Sequence, residues 1–448
     1  MKRILYVLLA VTLATASQAQ QLIQGETLSL EKAIDIALAN NKSLAIQRQL
    51  VEEAQTDVFK GNAGLLPTIS FQGGLTLDNN QADIAIRTFT DNPPLVNLDE
   101  SGVQSTTINA GLRADYVVIG GLSGKYRYQL FQQGAEMALN QQEVVLNEII
   151  LGVSELFVDI AKLQSREELL VENVAISQKR LTRIENRVAF GKATGGLKLN
   201  AQTEINQDLN ALDNVRLLKN NLIKELNFML GIDAASDYNV AVVYSPQLPL
   251  NPATISANVL AGNAELKINE TLVNTADTQL RLSESGKYPK LNAFANYGYY
   301  RQENDVQQLA ELQTVGYTVG LSLSYNIFDG NRTKRKVQKA RIGLERFQTE
   351  KSLKQDELVK EAIKENSQLR LLQNQLIREE DNLSTFEDNF RRTQQAFQNG
   401  TATSLDLRDA QRALLNAKIS INDAKLETVK SSFRLKKLTG ELISPATD

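Results

Sequence analysis

Asp406 and Asp409 stand three residues apart in Ser404-Leu405-Asp406-Leu407-Arg408-Asp409-Ala410, just after the helix-breaking pair Gly400-Thr401. That spacing places both carboxylates on one face of a helix. Acids in a first helical turn are also favoured by the helix dipole, so the pair has a purely structural reading too. Two absences narrow the remaining chemistry: the 448-residue chain contains no His and no Cys. A Ser-His-Asp triad, a nucleophilic Cys, an imidazole- or thiolate-held metal and CxxC redox chemistry are thereby excluded. The other Asp and Glu residues are spread along helical faces without a motif, so neither enzyme activity nor a cofactor is expected. A formal net charge of -3 argues against nucleic acid as a partner.

The elements that must carry these acids are announced by a targeting signal and two hydrophobic periods. Lys2-Arg3, the apolar run from Ile4 to Ala14 and Ser17-Gln18-Ala19 read as a secretory signal peptide over 1–19, cleaved after Ala19. No Cys follows it, which excludes a lipoprotein. No later stretch approaches ~18 uninterrupted apolar residues, so no membrane-spanning helix is expected, and only strands could enter a bilayer.

The mature chain reads as two copies of one unit. Leu38-Ala39-Asn40-Asn41 is echoed by Leu260-Ala261-Gly262-Asn263, and Gly64-Leu65-Leu66-Pro67 by Gly286-Lys287-Tyr288-Pro289, at one common offset. The first copy covers 20–250: a helix over 27–61 broken near Asn40-Asn41, strands at about 67–78 and 106–118, and a helical hairpin at about 123–230. The second covers 251–440: a helix, strands at about 290–300 and 315–328, and a hairpin at about 331–438. A tail over 441–448 follows. The segments 79–104 and 302–313 read as polar loops, and 238–252 as an irregular connector.

The strands alternate apolar with polar residues, as in Ile69, Phe71, Leu75 and Leu77 against Ser70, Gln72 and Thr76. The hairpin helices instead repeat by sevens. Leu139, Leu146, Val153, Ile160, Val174, Leu181 and Val188 form one series, interrupted only by Glu167. Ile149, Leu156, Leu163, Leu170 and Ile184 form a second, interrupted by Ser177. Such helices reach ~90–100 Å at 1.5 Å per residue, more than a globular core needs.

This order of elements resembles the TolC-type outer membrane efflux proteins over nearly the whole mature chain. The most specific matches are Leu28-Ser29-Leu30-Glu31-Lys32-Ala33-Ile34, Leu66-Pro67, Tyr325 to Gly330, and Gly400 to Gln411. The resemblance implies a mixed fold, an all-α coiled-coil tunnel joined to a transmembrane β-barrel. In it an internally duplicated protomer gives four strands to a trimeric twelve-stranded barrel. It also implies a homotrimer in the cell outer membrane of a Gram-negative bacterium, extending into the periplasm. The expected partners are outer membrane lipid, a periplasmic adaptor (membrane fusion) protein and an inner-membrane pump of RND or ABC type. The expected role is the passive exit duct of a tripartite efflux or type I secretion system for drugs, small toxic compounds or proteins.

On this resemblance Asp406 and Asp409 take the positions of the periplasmic constriction, two stacked carboxylate rings in a trimer. Arg408, Glu204 and Asp208 are candidate gate neighbours. No arginine stands in the turn Thr401-Ala402-Thr403, where the family can carry one. Gly191, Gly195, Gly196, Gly400 and Thr401 are the expected hairpin tips and adaptor contacts, although turn geometry alone also explains glycine there. Pro67 and Pro289 are the expected helix-to-strand seams. The competing reading is a secreted structural or adhesive coiled-coil envelope protein, which leaves the paired amphipathic strands without a role.

Overall fold

The computed structural model describes residues 27–87, 95–242, 244, 249–305 and 310–442. The leader over 1–19 and residues 443–448 of the tail lie outside the described residues. In chain order the elements are β1 (Thr27–Ser29), α1 (Leu30–Asn40), α2 (Lys42–Asp57), β2 (Thr68–Arg87), β3 (Leu95–Ile119), α3 (Ser123–Ala189) and α4 (Gly195–Leu230). Then come β4 (Asn239–Ala241), α5 (Pro252–Gly262), α6 (Ala264–Glu284), β5 (Lys290–Asn304), β6 (Glu311–Ser324), α7 (Arg332–Asn399) and α8 (Ser404–Thr439). Contacts divide the chain into two units: one takes Glu52–Met137 and Glu270–Thr349, the other takes the rest. Among the described residues no helix is long and apolar enough to cross a membrane.

The first of these units holds a four-stranded antiparallel sheet in the order β2-β3-β5-β6. Its register brings like faces together. Phe71 pairs with Leu112, Leu112 with Tyr297 and Tyr297 with Tyr317, while Ala114 joins Ile69 to Ala295 and Ala295 joins Val319. Residues directly opposite one another share a face, so one side is apolar across all four strands. The other side carries Gln72, Asn109, Arg113, Asn296 and Thr318. The apolar side is bare: Ile69 is 75% exposed, Val319 72% and Tyr317 81%.

Each strand-to-helix corner uses two successive left-handed residues, Gly121 and Leu122 before α3 and Gly330 and Asn331 before α7, with φ between 59° and 68°. At the second corner Asp329 Oδ2 accepts from Thr333 N at 2.9 Å and Thr333 Oγ1 at 2.6 Å, capping α7. β2 and β5 begin at Thr68 and Lys290, each directly after a proline.

Several sequence boundaries are corrected. The 79–104 segment is not simply a loop: β2 and β3 run on as a paired ribbon to Arg87 and Leu95. Backbone pairing needs no apolar face, so the loss of alternation did not end the strands. In the same way β5 continues to Asn304 and β6 starts at Glu311, which shortens the 302–313 loop. β6 stops at Ser324 instead of continuing to Phe328. Ser324 pairs with Lys290, so Tyr325 would face Pro289, which has no N–H to donate. The first helix ends at Asp57, not Gly61, and is preceded by β1. The 238–252 connector holds β4, which pairs in parallel with β1.

In the other unit two joints share one construction. Asn41 donates from Nδ2 to the Met229 carbonyl at 2.8 Å, while its Oδ1 accepts from Leu44 N and caps α2. Asn263 donates to the Leu438 carbonyl at 3.0 Å and caps α6 through Glu265 N. Each buried Asn therefore ties a short helix pair to the end of a returning long helix. The helix ends come so close that Cβ atoms on Gly231 and Gly440 would strike the Asn40 and Gly262 carbonyls. Leu28, Ala37, Phe157, Leu226 and Leu230 fill the core beside the first joint, and Ile255, Val259, Leu369 and Leu435 the core beside the second.

Candidate functional site

The two hairpin turns are built alike at their first half. Gly191 and Gly400 adopt φ of 69° and 80°. In each, the following residue donates back to the last helical turn, Lys192 N to Arg187 O at 2.7 Å and Thr401 N to Ala396 O at 2.9 Å. This is the Schellman closure that glycine permits. Gly195 and Gly196 have open space around them. Turn geometry thus accounts for Gly191 and Gly400, and neither observation bears on a partner.

The second halves differ. Thr194, the cap of α4, makes no side-chain hydrogen bond. Thr403 caps α8 in a full capping box: its Oγ1 accepts from Asp406 N, while Asp406 Oδ2 accepts from Thr403 N at 2.8 Å and Oγ1 at 2.7 Å. The Thr403 hydroxyl, then its backbone N–H, hold the Asp406 carboxyl below the usual carboxylate range. Asp406 is therefore the ionised first-turn acid that its sequence position allowed. Asp409 lies one turn on, and both are exposed while Leu407, Arg408, Ala410 and Gln411 are buried.

The buried face of α8 holds the less expected chemistry. Arg408 makes a two-pronged ion pair with Asp208 on α4, Nη1 to Oδ2 and Nη2 to Oδ1, both at 2.8 Å. Their side chains are 8% and 10% exposed. Ser177 on α3 donates to Asp208 Oδ2 at 2.7 Å and accepts from Arg408 Nη1 at 3.3 Å. Gln411 donates to Asn173 Oδ1 at 2.7 Å and to Ser177 Oγ at 3.1 Å. Arg180, also on α3, pairs with Glu204, and Arg408 Nε lies 3.9 Å from the same carboxylate. Burial pushes the Arg180 pKa down against the pull of Glu204. For Arg408 burial acts the same way but Asp208 outweighs it, and the net shift is upward.

This network lies between two apolar layers. Leu181, Ile184, Ile205, Phe397 and Leu407 cover it toward the turns, and Leu170, Leu212 and Val215 on the other side. Charges enclosed in this way are costly to separate, because neither partner regains water. A one-turn slide of α8, about 5.4 Å, would break the Arg408–Asp208 pair. The network therefore fixes the register of α8 against α3 and α4.

Of the residues singled out in the sequence, Arg408, Glu204 and Asp208 come together, while Asp406 and Asp409 lie on the opposite face of α8. Arg180, Ser177, Asn173 and Gln411 were missed. A signal for them existed: Ser177 interrupts one heptad series, and Glu167, which interrupts the other, is also a pairing site. Glu167 accepts from Arg216 at 2.8 Å and Lys219 at 2.6 Å. Burial alone would raise its pKa, but Lys219 and Arg216 together hold it below the ordinary range.

The model of the family described as outer membrane efflux protein matches residues 33–231 and 255–441. Outer membrane protein TolC of Vibrio cholerae is 22% identical over 414 residues, covering 89% of this chain and 87% of that protein. Among solved structures, CusC matches with a TM-score of 0.76 at 16% identity, covering 94% of this chain and 96% of that one. The outer membrane protein VceC of Vibrio cholerae matches with a TM-score of 0.72 at 17% identity, covering 92% and 96%. The chain belongs to the outer membrane efflux protein family. It is an outer-membrane exit duct for efflux, a passive channel and not an enzyme.

Proposed function

We propose that three copies assemble into one duct, each giving β2, β3, β5 and β6 to a twelve-stranded barrel, with the helices continuing as a periplasmic tunnel. The observation that carries this is the sheet: one face apolar and bare across four strands in register, the other mostly polar, and both edges unpaired among the described residues. Open edges are not tolerated in hydrocarbon, so four strands require partners to close. In this reading the two copies of the repeated unit let three chains surround the axis with near-sixfold character. Pro67 and Pro289 mark the seams between periplasmic helix and membrane strand.

Asp406 and Asp409 then line the narrow periplasmic end as two rings of carboxylates, which attract cations and hold back anions. Arg408, Glu204 and Asp208 act behind that face by holding α8 in place. Gly191, Gly195, Gly196, Gly400 and Thr401 present the turns to a periplasmic adaptor, which couples the duct to an inner-membrane pump of RND or ABC type. Drugs, small toxic compounds or secreted proteins are the cargo class.

Fractionation tests the assembly. The protein should sediment with outer membranes, resist carbonate and high salt, and run as a trimer-sized band before heating. Release as a soluble monomer would instead support the secreted coiled-coil reading. In planar bilayers, Asp406→Asn with Asp409→Asn should weaken block by multivalent cations at least severalfold. Unchanged block would remove these two residues from the constriction.

A further inference from the structure

The start of α7 carries a charge pattern that the exit-duct role does not use. From Tyr325 to Arg346 there are seven Lys and Arg residues but only two acids, Asp329 and Glu345. Arg332, Arg335, Lys336 and Lys339 follow the spacing i, i+3, i+4, i+7, which is one helix face. All four are exposed, whereas Val337 on another face is buried. Arg332 donates to the Asp329 carbonyl and Arg335 to Gln338, neither to a carboxylate. Lys336 and Lys339 have no partner among the described residues.

This arrangement works against the helix that bears it. Cations in the first turns oppose the helix dipole, and like charges at i, i+4 repel. Later in α7 the cations are interleaved with acids, as in Asp356, Glu357, Lys360, Glu361, Lys364 and Glu365. No later stretch of α7 carries such an excess of cations. Immediately before α7 stand Tyr325, Ile327 and Phe328, which are 59%, 92% and 80% exposed. An apolar and aromatic band followed directly by a cationic helix face matches a membrane interface, with acyl chains first and phosphates next. Arg332 to Lys339 spans about 10 Å of helix, about the Debye length at physiological salt, so all four cations sense one layer of headgroups.

We propose that this face binds the anionic phospholipid headgroups of the periplasmic leaflet of the outer membrane, and so fixes the depth at which β6 gives way to α7. The proposal rests on the reading of β2, β3, β5 and β6 as membrane strands.

The test compares insertion of the full-length protein into phosphatidylcholine vesicles with insertion into vesicles that also contain phosphatidylglycerol. Each cation near an anionic surface is worth roughly fivefold in partitioning. The unsubstituted protein should therefore favour phosphatidylglycerol vesicles by tenfold or more at low salt, and lose the preference at high salt. A variant with Arg332→Gln, Arg335→Gln, Lys336→Gln and Lys339→Gln should lose most of the preference, falling toward the phosphatidylcholine level, and still form trimers. The charge-keeping exchange Arg335→Lys with Lys336→Arg should retain the preference, which separates charge from folding. No preference in the unsubstituted protein, or full preference in the Gln variant, would overturn the proposal. Loss of the trimer band in the Gln variant would also overturn it, by assigning the face to a second copy of the chain. Failure to insert into either vesicle would remove the membrane reading, and this proposal with it.

Discussion

At the scale of single residues, Arg408 and Asp208 set a sharper constraint than the acids beside them. Removing one member of an enclosed ion pair leaves the other charged and dry, at a cost of about 3 kcal/mol or more. Asp208→Ala should lower the thermal unfolding midpoint markedly, and Arg408→Leu alone should do the same. The double variant Asp208→Leu with Arg408→Leu should recover much of the loss, because apolar layers already flank the site. Additive losses in the double variant would mean that the two residues do not act as a pair. Asp406 predicts a pH effect. Its folded pKa lies below the ordinary value of 3.8, so its capping contribution is present above that value and lost as pH falls through the folded pKa. Asp406→Asn should therefore lie below the unsubstituted protein in unfolding midpoint at neutral pH and converge with it in acid. A constant difference down to the lowest pH would contradict this.

At the scale of elements, periodicity carried the hairpins well, because a long helix repeats its apolar positions many times and each repeat supports the next. Its interruptions were informative too. Glu167 and Ser177 broke the heptads where α3 pairs with polar side chains of α4 and α8. What stayed hidden was long-range: Arg180 and Gln411 look like ordinary helix-surface residues until α3, α4 and α8 are brought together. The strand ends were hidden for a different reason. β6 ends where its partner strand reaches Pro289, a fact of pairing and not of the β6 residues themselves. The Asn41 and Asn263 joints were visible as a repeat, yet their role depends on the Met229 and Leu438 carbonyls far along the chain. These joints give a contrast between glycines. Gly440→Ala adds a left-handed Ala and a backbone clash with Gly262, and should cost about 2–4 kcal/mol. Gly343→Ala, in open space within α7, should stabilise by about 0.5–1 kcal/mol. Chemical denaturation of the two variants side by side checks both signs.

At the scale of the whole molecule, the sheet decides between water and lipid. Val319 is 72% exposed on the apolar face of β6. In a water-soluble protein Val319→Arg would change little, within about 0.5 kcal/mol. In a barrel it would place a charge against acyl chains at about 2–4 kcal/mol per copy near the midplane, three times over in a trimer. The heat-modifiable trimer band in outer membranes should fall sharply, and an undiminished band would argue that this face meets water. The β2–β3 ribbon has a further consequence. Pairing of β3 with β5 stops at Ser105 and Asn304, yet β2 and β3 stay paired as far as Arg87 and Leu95. The ribbon thus projects beyond the four-stranded sheet, at the end away from the seams. If the strands cross the outer membrane as proposed, that end faces the outside of the cell. It would then be the part that antibodies and bacteriophages meet first, and the part where sequence can drift fastest without disturbing the passage beneath it.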